Sequence, residues 1–299
     1  MILRRKTRDG IFRILTLAPA ALIVGICLLV PLAQTVGYSF LDYRLSRSAA
    51  QTKPAFVGFA NYLKTIESGE LWNSLMVTIL FVFWVTIVLL VMGMILALLL
   101  GRIQKGGKVL RGLVLLPWVT PTIISALLWS WIFQPQYGAM NYLLKALGIL
   151  TENAAWLADP DLALPSIMVA AVWKQLPFMF LMLLAGLQGI PKELHEAAII
   201  DGASPVQDFL AVTLPSLRNV ITTTVLMTVI ANFKQFPLFQ IMTNGGPMNR
   251  TTNLAILSYR HAFGNLDFGS GAAVATVWLV VLVVFSLAYG KLFPEGERE

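Results

Sequence analysis

Six stretches of this 299-residue chain are apolar for about as long as a helix needs to cross a bilayer, roughly 20 residues. They run from Ile14 to Val36, Leu75 to Leu100, Val109 to Phe133, Leu164 to Leu187, Leu217 to Met242 and Ala272 to Leu292. A hydrophobic fraction of 57% with only 12% charged residues exceeds what a soluble core absorbs. The expected fold is therefore all-α: a polytopic membrane protein with six transmembrane helices, forming one transmembrane domain over residues 1–299.

Basic residues orient these spans. Arg4, Arg5, Lys6, Arg8 and Arg13 precede the first, and Arg102, Lys105, Lys108 and Arg111 crowd the short connection after the second, so both segments are expected to stay cytoplasmic. Arg44, Arg47, Lys53 and Lys64 in the first outer loop weaken the signal, though they are diluted by Asp42, Glu67 and Glu70. The first apolar run is longer than a cleavable signal segment and reads as a retained helix. These flanks account for most of the net charge of +7, which requires no nucleic acid. Cys27 stands alone within a span and offers no disulfide or thiolate metal cluster.

Between the fourth and fifth spans, residues 189–215 form a polar insertion with helix punctuation. Pro191 suits the start of a helix, Glu193 and Glu196 lie near its positive end, and Gly202 can take the left-handed conformation that ends it. Ser204 then caps a second helix, with Pro205 at its first position and Gln207 completing a capping box. The segment reads as helix, elbow, helix. With the N-terminus inside and six spans, it emerges in the cytoplasm.

Glu196-Ala197-Ala198, followed by Asp201-Gly202 and later Leu214-Pro215, resembles the EAA motif of permease subunits of bacterial ATP-binding-cassette importers. The resemblance implies that Glu196, Ala197, Ala198, Asp201, Gly202 and Pro215 belong to a cytoplasmic coupling helix that docks on a separate ATPase subunit. Thr243-Asn244-Gly245-Gly246-Pro247 is similar to an outer loop of the maltose-type, carbohydrate-handling subfamily. That likeness implies a second permease subunit and two nucleotide-binding subunits that carry ATP and magnesium. It also implies an extracytoplasmic binding protein that delivers solute, and a location in the bacterial inner membrane. This chain would then bind no cofactor and catalyse nothing itself.

Lys174 and Lys234 are the basic residues lying away from the ends of the expected spans, where a charge must face protein or water. Each sits in a similar pentapeptide, Trp173-Lys174-Gln175-Leu176-Pro177 and Phe233-Lys234-Gln235-Phe236-Pro237. The prolines are expected to free the carbonyls of Trp173 and Phe233, and irregular backbone at that depth belongs beside a cavity or a protein partner. Freed carbonyls, amides, ammonium groups and aromatic faces suit a hydroxyl-rich solute, and the two lysines would favour an anionic one. Snorkelling lysines on simply kinked helices are the alternative. The family resemblance carries solute contact onto Lys174, Gln175, Phe178, Asn232 and Gln235, of which Asn232 and Gln235 would share one helix face.

Gly101 to Lys108 superficially suggests a phosphate loop. Its lysine is displaced, Val109 stands where Ser or Thr is needed, and no strand precedes it. His195 and His261, the only histidines, are expected on opposite sides of the membrane, so neither a metal pair nor a Ser/His/Asp triad follows; His195 reads as a solvated residue of the coupling segment. A secondary transporter is the competing function, but no span carries the acidic residue usual for proton coupling. A membrane-embedded enzyme would need clustered carboxylates, and Asp159 and Asp161 lack a positioned partner.

Overall fold

The computed structural model describes residues 16–45, 54–101, 103 and 106–293. The basic N-terminal segment, Arg47, Lys53, Arg102 and Lys105 therefore lie outside the described residues. The elements in chain order are α1 (Thr16–Tyr38), a two-stranded antiparallel ribbon of β1 (Leu41–Asp42) and β2 (Ala55–Phe56), α2 (Ala60–Glu67) and α3 (Glu70–Gly101). There follow α4 (Gly107–Val114), α5 (Leu116–Val119), α6 (Thr122–Ile132), α7 (Ala139–Ala146) and α8 (Ala163–Gln188). The rest is α9 (Lys192–Ile200), α10 (Pro205–Ser216), α11 (Arg218–Phe233), α12 (Pro237–Met242), α13 (Leu254–Tyr259) and α14 (Phe268–Leu292).

Four of these helices, α1, α3, α8 and α14, are long and apolar enough to cross a membrane. The third and fifth expected spans are not single rods. Val109–Val119 and Thr122–Ile132 meet at 94°, and Pro205–Ser216 and Arg218–Phe233 meet at 66°. The first bend follows from Pro121, because a residue before proline is driven out of the helical region. Thr120 accordingly takes φ −63° and ψ 130°. The 66° bend falls at the start of the fifth expected span, and the interruption within that span comes where α11 ends at Phe233 and α12 restarts with Pro237 in its first turn, where the missing N–H costs nothing. Pro177, by contrast, is buried within a continuous α8, so the two similar pentapeptides have different backbones. Wide π turns occur at Gly25–Leu29 and Phe209–Thr213, each just ahead of a proline, Pro31 and Pro215.

The chain divides into two units: described residues up to Glu70 with Leu257–Leu279, and Leu71–Ile256 with the described residues from Val280. In the first, Asn61 Nδ2 donates to the carbonyls of Ser39 and Leu41, both at 2.9 Å, tying α2 to the chain entering β1. Gly269 lies so close to this strand that a Cβ there would sit 2.3 Å from the Leu41 carbonyl oxygen. Two of the cations in this segment, Lys64 and Arg44, are paired with carboxylates. Lys64 Nζ lies 2.9 Å from Asp267 Oδ2, and Arg44 Nε lies 3.0 Å from Asp42 and 3.5 Å from Asp267. Burial alone would push the Asp267 carboxyl up. The Ser270 backbone N–H, the hydrogen bonds from Lys64 and Ser270 and the Lys64 charge together hold it below the ordinary value. His261, buried, lies 3.2 Å from Glu70 through Nε2.

In the second unit α8 is the hub, packing against α5, α6, α11 and α12. Its buried side chains include Ile167, Met179, Phe180 and Leu183, and Phe81 of α3 meets Phe239 of α12 edge to face at 4.8 Å. Gly93 of α3 permits close approach to α8, because a Cβ there would lie 2.5 Å from Met179 Cγ. Outward, α3 exposes Met76, Phe83, Trp84, Ile95 and Leu99, the surface a helix presents to lipid.

Candidate functional site

Lys174 and Phe178, one turn apart on α8, both meet the break in the third expected span. Lys174 Nζ donates to the Thr120 carbonyl at 2.5 Å, and the Phe178 ring stacks on Trp118 with centroids 6.4 Å apart. The next residue points elsewhere: Gln175 Nε2 donates to Asn232 Oδ1 on α11 at 2.8 Å. The first pentapeptide therefore meets the residue just before the second, through an amide pair rather than through freed carbonyls. Asn232 is 1% exposed, and its Nδ2 has no hydrogen-bond partner among the described residues. A buried amide donor left open is one that a solute hydroxyl or a water can fill.

One expectation needs correction here. Asn232 and Gln235 do not share a helix face, because α11 stops at Phe233 and Gln235 lies in the unwound link. The Gln235 carbonyl is instead taken by Asn253 Nδ2 at 2.7 Å, which fastens the link to the start of α13. Lys174 commits one of its three N–H groups to the neutral Thr120 carbonyl, which positions the ammonium without neutralising its charge. Lys234, at the end of α11, is exposed and has no hydrogen-bond or ion-pair partner among the described residues.

Sequence reading missed Trp118 and Thr120. The Thr120-Pro121 dipeptide carried the signal, because a residue before proline ends a helix and exposes a carbonyl.

The polar insertion has the expected punctuation. α9 covers Glu196, Ala197 and Ala198, Asp201 caps it, and Gly202 follows at φ +78°. The Ser204 N–H donates to Gln207 Oε1 at 2.8 Å and the Gln207 N–H to Ser204 Oγ at 3.4 Å, closing the capping box. Pro215 sits in the last turn of α10. His195 is no merely solvated residue, because its Nδ1 lies 2.8 and 3.0 Å from the Asp208 carboxylate and clasps α9 to α10. Around this elbow Ile199, Ile200, Val206 and Leu210 are exposed, at 70%, 84%, 67% and 56%.

Among the described residues there is no group of three or more His, Cys, Asp or Glu side chains able to hold a metal. The sequence pattern described as "Binding-protein-dependent transport system inner membrane component" matches residues 89–294. The trehalose/maltose transport system permease protein MalF of Thermococcus litoralis is 36% identical, over 96% of this chain and 95% of that protein. The sulfoquinovosyl glycerol transport system permease protein SmoG of Agrobacterium fabrum is 33% identical, over 95% and 91%. In three dimensions the chain is similar throughout to a chain of a bacterial ABC transporter involved in the import of the acidic polysaccharide alginate. The TM-score is 0.82, with 100% of each chain covered and 20% identity, which establishes a shared fold.

Proposed function

Because the chain belongs to the family of binding-protein-dependent transport system inner membrane components, we infer that it is a membrane-spanning permease subunit of an ATP-binding-cassette importer. It translocates a sugar or sugar derivative delivered by an extracytoplasmic binding protein. Its similarity to permeases for trehalose/maltose and sulfoquinovosyl glycerol supports that substrate class. With six spans, the N-terminus and the α9–α10 elbow lie in the cytoplasm.

The exposed apolar cluster on the elbow carries the coupling assignment. Ile199, Ile200, Val206 and Leu210 project from a polar insertion held rigid by a left-handed glycine, a capping box and the His195–Asp208 clasp. Apolar side chains so displayed fit the cleft of a partner protein. The partner is a nucleotide-binding subunit, present in two copies, which binds ATP and magnesium and does the hydrolysis. Glu196, Ala197, Ala198, Asp201, Gly202 and Pro215 form the docking element, and movement there is passed along α10 into α11.

Lys174, Gln175, Phe178, Asn232, Lys234 and Gln235 line the solute path, completed by a second permease subunit. The open Asn232 amide and the uncommitted hydrogens of Lys174 supply donors to hydroxyl or acidic groups. The test is co-expression with a nucleotide-binding subunit: a stable complex, with uptake that needs both ATP and the binding protein, is expected. A chain that purifies without that subunit and transports unaided sinks the assignment.

A further inference from the structure

The segment joining α6 to α8 holds a groove of about 680 Å³ around α7, within the size range of small-molecule sites, about 300–1,000 Å³. Its walls are Tyr137 and Tyr142, 73% and 79% exposed. Neither ring packs on another aromatic, and neither hydroxyl has a partner among the described residues. Ala139 and Ala146 are too small to fill the space between them, and Gln136, Lys145 and Asn153 supply polar edges.

This groove is built on a fixed scaffold. Buried Asn141 donates through Nδ2 to the carbonyls of Pro135 and Ala154, at 3.1 and 3.0 Å. Its Oδ1 accepts from the Ala154 N–H at 3.1 Å and the Trp156 indole at 2.9 Å, so the amide is fully used. Gly138 makes the tight entry to α7, where a Cβ would fall 2.3 Å from the Gln134 carbonyl oxygen. Lys145 Nζ donates to Asn153 Oδ1 at 3.2 Å, which leaves the Asn153 amide hydrogens and the rest of the ammonium free.

α7 is two-sided. Leu143 and Leu147, one turn apart and exposed, form the face suited to lipid. Tyr142 and Lys145 lie roughly opposite on a helix of 3.6 residues per turn. Exposed tyrosine faces take the C–H surface of a sugar ring, while amides and an ammonium take its hydroxyl or acid groups. We propose that this groove is a carbohydrate subsite on the external face of the permease, separate from the α8–α11 site and holding one ring of an arriving solute. It rests on the importer reading and on the orientation given with it.

The test uses the assembled importer in nanodiscs with two diazirine-bearing probes, maltotriose and trigalacturonate, and mass spectrometry of the labelled peptides. At least one probe is expected to label residues 136–153, in competition with its unmodified sugar. Tyr137→Ala/Tyr142→Ala should lower that labelling roughly five-fold or more, the size of a loss of about 1 kcal/mol, while Tyr137→Phe/Tyr142→Phe retains it. No labelling there by either probe, or labelling indifferent to the alanine pair, overturns the subsite. So does an alanine pair that weakens only binding-protein affinity. Uptake driven by ATP in sealed proteoliposomes carrying the same importer reports separately on the importer reading, which survives if only the labelling fails.

Discussion

The Lys174 ammonium donates to the Thr120 carbonyl, joining the middle of α8 to the point where α5 gives way to α6. A lysine among apolar helices needs a partner, and a carbonyl beside a proline break lacks its helical one. Each residue resolves the other's difficulty, and the result is a strut across a 94° bend.

Lys174→Ala removes both this strut and the cation offered to solute. Uptake is expected to fall severalfold, with a larger loss for acidic than for neutral sugars in a competition assay. An unchanged preference between the two classes eliminates the solute role and leaves Lys174 as a positioning residue of the break.

The Gln175–Asn232 pair makes a prediction about sign. Gln175→Leu strands the buried Asn232 Oδ1 without a donor, which costs about 1–3 kcal/mol. Adding Asn232→Leu removes the stranded group, so the double variant should unfold at a higher temperature than Gln175→Leu alone. Additive losses in the detergent-solubilised protein would show that the amides do not act as a unit.

At the elbow, Gly202→Asp forces a side chain into φ +78°, at a cost of roughly 1–2 kcal/mol for a residue held left-handed. Glu196→Lys reverses an exposed charge on α9. Both variants are expected to insert into membranes normally while losing association with the nucleotide-binding subunit, or coupling of its hydrolysis to uptake. Wild-type uptake in both removes the coupling role from this segment.

Asp267 supplies a pH dependence. Its folded carboxyl is held below the ordinary value, so ionised Asp267 favours the folded state at neutral pH. That contribution is complete above the unfolded value, near 3.9, and is lost as pH falls through the lower folded value. Melting of the wild type should therefore decline more steeply below about pH 4 than melting of Asp267→Asn, which is less stable at pH 7. Parallel melting curves across that range would remove Asp267 as the source.

Much of the fold was legible because its determinants are local. Apolar length marked the helices of α1, α3, α8 and α14, and Gly202, Ser204 and Gln207 specified the elbow through bonds that span three residues or fewer. The bends were harder. Pro121 and Pro177 both interrupt apolar runs, yet one ends a helix and the other lies inside a continuous one. Proline removes the same donor in each case, and the packing around it decides whether the helix continues.

The sequence by itself determined that this chain is a bundle of apolar helices with one punctuated polar elbow, because those features depend on neighbours within a turn or within one span. Only the tertiary structure decided which polar side chains are spent and which remain available. Lys174 reaches Thr120 across 54 positions and Gln175 reaches Asn232 across 57, and such pairings follow from helix crossing and side-chain direction, which no local spacing encodes.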